Sequence, residues 1–477
     1  MSTATPAQTN RLVDPYRETL IRDYPLESFA AADAKISQAR AAQERWRRLP
    51  VSERRSLFLE ALRYIEENLE THAARISAEM FKPLAQARGE IGSGVAKLRL
   101  IASLAEDALR ERSIPADGKP FEFRIARAAK GVIYTIAPWN YPFFTALNSV
   151  GPALLAGNAV VLKHASTPSV GELFENAFNT MGGITGLCQQ LSIDIPTSNR
   201  VILESAIDHV VFTGSVAGGM ALSRLVGERA SNGKLREAFL QMSLELGGSD
   251  AAYVAADADP VKAAQMLISG GRLHNSGQSC CATKRLFLHH GIADAFLAEG
   301  KILMEREVSG APQDPLTTLG PLHGGPRAVQ SLMALVADAV ESGATVVTGG
   351  KQISKDGYSF IAPTLITGVS TEMKVMQQEV FGPVLPVMIV KDDDEALAHI
   401  NHPLFGLTTS VFTNDAQLQA RVIDAAESAT VFINWCNDVH AEVAWSGWGH
   451  SGNSMAALSD LGFDALTRPK SIVKALA

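Results

Sequence analysis

The chain lacks most of what would tie it to nucleic acid, a membrane or an oxidising compartment. Acidic residues outnumber basic ones, 50 against 43, and the net charge of −7 leaves no broad basic surface for a phosphate backbone. Long apolar runs are missing. The stretch 150–159 is among the longest and is broken by Gly151 and Pro152, so no segment is expected to cross a bilayer. Cysteine is scarce: Cys188, Cys280, Cys281 and Cys436 show no metal-ligand spacing and are too few to staple 477 residues. Neither a metal site nor a disulfide framework is expected, and a reducing cytoplasm fits best. The opening Met-Ser-Thr-Ala-Thr-Pro-Ala-Gln carries no basic segment leading into an apolar one, so a signal or transit peptide is not expected.

What is present is an ordinary α/β composition, 46% apolar with few aromatics, in a chain too long for one hydrophobic core. Two large domains are expected. Ser52 before Glu53 reads as a helix N-cap, with Phe58, Leu62, Ile65 and Leu69 following at helical spacing, and the first hundred or so residues read as largely helical. From Gly131 short β-rich runs at 132–136, 159–162, 210–212 and 243–246 alternate with helical stretches. That alternation predicts a parallel sheet covered on both faces, with ligands at the carboxyl ends of its strands. A second series begins near Ala251 and continues through 285–289, 344–347 and 431–434, predicting a second α/β domain. The segment 121–129, loosely alternating charged and apolar residues, reads as an exposed ribbon.

Three residues carry candidate chemistry. Cys280 ends the polar, glycine-containing approach Asn275-Ser276-Gly277-Gln278-Ser279. A free cysteine is commonly a small buried hydrophobe, but a thiol also suits carbonyl addition, being partly thiolate and strongly nucleophilic at neutral pH. Glu245 lies between Leu244 and Leu246, ahead of Gly247 and Gly248; desolvation there raises a carboxylate toward the range of a general base. The plainer reading is a capped or salt-bridged strand carboxylate. Asn140, between Pro138 and Pro142, is a turn residue whose amide is also a well-held donor for an oxyanion.

Signals for a dinucleotide are weaker one by one. Gly214-Ser215-Val216-Ala217-Gly218-Gly219 follows a strand and opens a helix whose free N–H groups suit a pyrophosphate, although a plain glycine-rich turn reads equally well. Lys163 leaves the 159–162 strand within reach of a ribose or phosphate, and Thr167-Pro168 then reads as a helix start.

In order and spacing, 138–142, 157–163, 212–215, 244–248, 277–280 and Glu379-Val380-Phe381-Gly382-Pro383 resemble the aldehyde dehydrogenase superfamily, nearest to its NAD(P)-dependent succinate-semialdehyde dehydrogenase-like branch. The resemblance implies a Rossmann-like cofactor domain (1–120 and 131–247), a second α/β catalytic domain (248–455) and a small β oligomerisation segment (121–130 and 456–477). It implies oxidation of a small-molecule aldehyde to the acid with NADP or NAD, and a homodimer or homotetramer. Cys280 looks like the nucleophile, Glu245 like the base for the deacylating water, and Asn140 like an oxyanion donor beside the Cys280 backbone N–H. Lys163 and Glu379 resemble the ribose-holding residues. Phe381 looks like the neighbour of the nicotinamide, Trp139 like a wall of the adenosine side, and Gly214 and Ser215 like the pyrophosphate turn.

The chain also departs from that pattern. Ser166 stands where many relatives carry an acidic residue; loss of that carboxylate removes repulsion toward a 2′-phosphate, so NADP is expected to be accepted or preferred. Lys163-His164-Ala165 and 247–250 are similar to the semialdehyde branch and favour a substrate with a distal carboxylate. Against that, Trp445-Ser446-Gly447-Trp448-Gly449-His450 replaces a usual lysine-bearing loop, and Trp435, Trp445 and Trp448 are candidates to line an aromatic-aldehyde pocket. His164 is expected to pack, and Cys281 to pack rather than act as a redox partner. The rivals are a CoA-acylating enzyme, against which Glu245 speaks, a silent binding protein of the same fold, and a thiol hydrolase pairing His274 with Cys280.

Overall fold

The computed structural model describes residues 9–476 apart from 165, 232 and 234. Residues 1–8 and 477 of the expected domain ranges, and Ala165 of the Lys163-His164-Ala165 motif, lie outside the described residues. The chain opens on an antiparallel hairpin, Thr9–Val13 with Leu20–Pro25, where a helical start was expected. Its faces are mostly exposed, so no apolar periodicity marks it. Four helices follow, Phe29–Trp46, Val51–Glu67, Leu69–Met80 and Leu84–Ala108. Ser52 is not the cap of the second: Pro50 precedes a helix that already includes Val51, because proline presets the entry geometry without needing a donor.

Five parallel strands then form one sheet, ordered Cys188–Gln190, Ala159–His164, Val132–Ala137, His209–Thr213 and Gln241–Glu245. The two strands after Val132–Ala137 lie on one side of it and the last two on the other. The chain therefore changes direction between Val132–Ala137 and His209–Thr213, and a crevice opens at their carboxyl ends. Val132–Ala137 and Ala159–His164 are buried throughout, which is why they read as unbroken apolar runs.

The second sheet has seven strands, ordered Thr345–Thr348, Thr364–Thr367, Val384–Val390, Thr283–His289, Asp250–Val254, Thr408–Phe412 and Thr430–Ile433. Only the Thr345–Thr348 edge runs antiparallel. Cys280 sits just before the amino end of Thr283–His289, so the nucleophile candidate enters from the opposite strand end to Asn140 and Glu245. A third, antiparallel sheet pairs Thr467–Ala475 with Phe121–Ala129 over nine residue pairs, and Arg112–Ile114 completes it. Among the described residues no helix is long and apolar enough to cross a membrane.

Trp46, fully buried at the end of its helix, donates from Nε1 to the Leu154 carbonyl at 2.7 Å. It thereby fixes the Pro142–Leu155 helix that follows Asn140. Trp46→Ala is expected to lower stability by about 3–5 kcal/mol, seen as a lower urea midpoint; an unchanged midpoint would contradict this role.

Candidate active site

The loop before Cys280 is built on unusual backbone. The helix widens to π geometry over Gln265–Leu273, and Asn275, Ser276 and Gly277 then take φ of 55°, 54° and 74°. Three successive left-handed residues are costly and persist only where the surroundings hold them. A Cβ at Gly277 would stand 2.4 Å from the Gly382 carbonyl oxygen, so this position needs glycine. Arg272, fully buried, donates to the carbonyls of Thr283 at 3.0 Å, Val380 at 2.7 Å and Gly277 at 3.3 Å, and also to Gly382. Lys284, equally buried, donates to the Cys280 carbonyl and, at 3.2 Å, to that of Ala282. Its ammonium lies 4.0 Å from Glu379, whose carboxylate accepts from the Gly248 N–H at 3.0 Å.

Asn140 is held from a different side. Glu90 accepts from the N–H groups of Phe143 at 2.9 Å and Phe144 at 3.2 Å, capping the helix that begins after Tyr141, and is itself paired with buried Lys82. Asn275 donates from Nδ2 to the Asn140 carbonyl at 2.8 Å, while its own N–H goes to Gln86 at 3.0 Å. The Asn140 backbone is thus bonded to the cysteine loop, and its buried Oδ1 has no protein partner.

Glu245 closes the Gln241–Glu245 strand and is buried. Burial raises its pKa to about 7, opposed by hydrogen bonds to Asn148 and Trp445. The Cys280 thiol is held above its ordinary value, first by its hydrogen bond with Cys281 and then by burial, with Lys284 opposing. Cys281 is lowered by the same bond, and its sulfur also lies 3.4 Å from Ser279 Oγ and 3.3 Å from Asn437 Oδ1. His274 is no partner for Cys280 in this arrangement: its Nδ1 lies 2.8 Å from the Tyr141 hydroxyl, and burial lowers its pKa to about 4. That counts against the thiol-hydrolase reading.

One cavity of about 920 Å³ is lined by Cys280, Glu245 and Asn140 together with Trp139, Gly214, Ser215, Glu379 and Phe381. Ser215 caps the fifteen-residue helix Val216–Ala230, accepting from Gly218, so an exposed helix N-terminus borders the space. Trp139 meets Phe381 edge-on, with ring centroids 5.7 Å apart. Lys163 and Ser166 are not among the lining residues; Lys163 lies on Ala159–His164, paired with Ile136. His164 packs, bonded to the Pro142 carbonyl and Thr167. Trp435 and Trp445 line the cavity, whereas Trp448 pairs with Gly406 on an exposed two-residue strand and does not. Sequence reasoning missed Asn148, Asn275, Arg272 and Lys284. Asn148, polar in the apolar run 143–155, left a signal; the others act through tertiary contacts and left none.

Residues 2–472 match the aldehyde dehydrogenase family. The chain belongs to that family. It is 32% identical over 470 residues to a succinate-semialdehyde dehydrogenase [NADP(+)] of Deinococcus radiodurans, covering 98% of this chain and 95% of the relative. Retinal dehydrogenase 2 of Rattus norvegicus is 33% identical over 411 residues, 86% of this chain and 77% of its own length. Among solved structures, an NAD-dependent aldehyde dehydrogenase from Sinorhizobium meliloti superposes with a TM-score of 0.90 at 29% identity, covering 98% of this chain and 92% of that one. A 3,6-anhydro-L-galactose dehydrogenase in complex with NAP gives 0.89 at 26% identity, over 99% and 97%.

The chain is therefore an aldehyde dehydrogenase, oxidising an aldehyde to a carboxylic acid with a nicotinamide cofactor. The residues present fit such a group: the cavity has the volume of a ligand site, and a helix N-terminus and two aromatic rings border it. If Glu245 acts as base, turnover limited by hydrolysis should rise with pH through about 7, since the deprotonated carboxylate is required. Trp445→Phe removes a bond that favours the charged form, so this limb of the kcat profile should move to higher pH. An unmoved or acid-shifted limb would count against the assignment.

Proposed function

We propose that Cys280 forms the thioester, Glu245 activates the water that hydrolyses it, and Asn140 with the Cys280 backbone N–H stabilises the oxyanion. The observation that carries this reading is that a sulfur nucleophile, a carboxylate with a pKa near 7 and an amide donor, far apart in the chain, line one cavity. The Cys280 thiol gives its proton to water and its sulfur adds to the aldehyde carbon, and the carbonyl oxygen takes up the charge that the two donors stabilise; one such donor is worth about 10²–10³ in rate. When bound, the nicotinamide ring supplies the acceptor for the aldehyde hydride. Glu245 then takes a proton from water, whose oxygen attacks the thioester carbon as the C–S bond breaks and the thiolate is restored. Glu245 also favours water over a CoA thiol as acyl acceptor.

Phe381 is assigned to the nicotinamide end, Trp139 to a wall of the adenosine side, Glu379 and Lys163 to the ribose units, and Gly214 and Ser215 to the pyrophosphate. NADP+ is accepted, with Ser166 leaving room for a 2′-phosphate; the NADP+-dependent relatives support this. The relatives that act on succinate semialdehyde favour a semialdehyde substrate, whereas the cavity lining argues otherwise, as set out below. Residues 1–120 with 131–247 and residues 248–455 form the cofactor and catalytic domains, supported by the two parallel sheets. Residues 121–130 with 456–477 join subunits of a homo-oligomer, a reading supported by the edge position of Thr467–Ala475 in its sheet. A reducing cytoplasm suits an enzyme whose four cysteines are all free.

Cys280→Ala should abolish turnover while leaving cofactor binding by fluorescence titration intact. Glu245→Gln should give a burst of reduced cofactor followed by a steady rate about 10²–10⁴-fold lower. Persistent turnover in the first, or an unchanged steady rate in the second, would refute the respective role. Ser166→Glu should lower kcat/KM for NADP+ on the order of tenfold, through repulsion of the 2′-phosphate, and spare NAD+; equal effects on both cofactors would contradict that placement.

A further inference from the structure

The substrate side of the cavity is formed by the helices Leu84–Ala108 and Pro142–Leu155 and by the segment that follows Thr430–Ile433. It carries the apolar and aromatic side chains of Leu100, Phe144, Trp435, Val439 and Trp445, alongside polar ones such as Thr145 and Asn437. Trp435 keeps 42% of its surface exposed although it borders the cavity, so it presents a free aromatic face rather than a packed one.

The charges on this wall decide what can enter. Among the described residues no arginine lines the cavity, and the one lysine that does is Lys97. That ammonium donates one hydrogen bond to the Val439 carbonyl and lies 4.4 Å from the centre of the Phe144 ring. The carboxylates of Asp438 and Glu442 line the same wall and act on it, and His440 is 3.4 Å from Asp438. Two carboxylates against one ammonium leave the wall net negative. A substrate with a distal carboxylate would meet repulsion at the mouth and would have to compete with Asp438 and Glu442 for the one ammonium on this wall. A flat, neutral aldehyde loses far less by desolvation than a carboxylate and gains contact with the rings of Phe144 and Trp435.

We infer that this enzyme is specific for neutral aldehydes with an aromatic or bulky apolar tail, and that Phe144 and Trp435 form the pocket for that tail while Asp438 and Glu442 exclude carboxylated aldehydes. The inference rests on the thioester reading of the same site and adds the substrate class to it.

The test uses the full-length enzyme with saturating NADP+, and separately NAD+, and three aldehydes of matched shape: benzaldehyde, para-methylbenzaldehyde and para-carboxybenzaldehyde, with succinate semialdehyde as a fourth. The two neutral aldehydes should be turned over with similar kcat/KM, and the two carboxylated ones with values lower by about tenfold or more. Trp435→Ala should raise KM for benzaldehyde by about tenfold, leave kcat within about twofold and change KM for succinate semialdehyde little. Trp435 is exposed enough for the variant to fold, and the comparison of substrates needs no variant. An enzyme that takes either carboxylated aldehyde as well as benzaldehyde, or better, overturns the inference and leaves the thioester chemistry standing. One that reduces neither cofactor with any of the four aldehydes overturns the chemistry itself.

Discussion

Two buried cations hold the catalytic region together. Arg272, through its two terminal guanidinium nitrogens, and Lys284 donate to backbone carbonyls of the Gly277–Thr283 loop and of the Val380–Gly382 turn. Burial pulls Arg272 down to about 9, with Glu379 the opposing influence. A charge taken out of water is costly unless most of its donors are met by acceptors. The sulfur-bearing loop therefore cannot drift from the Glu379–Phe381 turn without orphaning a buried cation. The left-handed run through Asn275, Ser276 and Gly277 is maintained by the same constraint, and Asn275 extends it to Asn140.

This rigidity has an electrostatic counterpart. Glu245, Asp250 and Glu379 all lie in surroundings that raise carboxylate pKa values by burial, yet their partners differ. Asp250 is tied to Thr408 and faces Lys284, and Glu379 is held by the Gly248 N–H and Lys284, so both are committed to structure or to orienting a ligand. Glu245 is opposed only by the neutral donors Asn148 and Trp445. It is the carboxylate left near 7 and thus free to exchange a proton at neutral pH. The outer wall, with its two carboxylates and aromatic faces, turns the same low-polarity setting into a filter on substrate charge.

The strand runs were legible because buried parallel strands write themselves as apolar stretches, and 132–136, 159–162 and 210–212 fall within the strands found. The hairpin Thr9–Val13 with Leu20–Pro25 was not, since it is largely exposed and leaves no periodic mark. Ser52 misled because a capping residue type also occurs inside a first turn, and Trp448 because tryptophan composition says nothing about which face a loop presents.

The order and spacing of short motifs around Asn140, Glu245, Cys280 and Glu379 determined by themselves which family the chain belongs to, because glycines and prolines at close approaches tolerate little else. Only the tertiary structure decided how those motifs meet: that Asn275 bridges the asparagine and cysteine loops, that Lys97 donates to the Val439 carbonyl, and that Trp435 rather than Trp448 faces the cavity. Such facts depend on distances between residues more than a hundred positions apart, and local pattern carries no information about them.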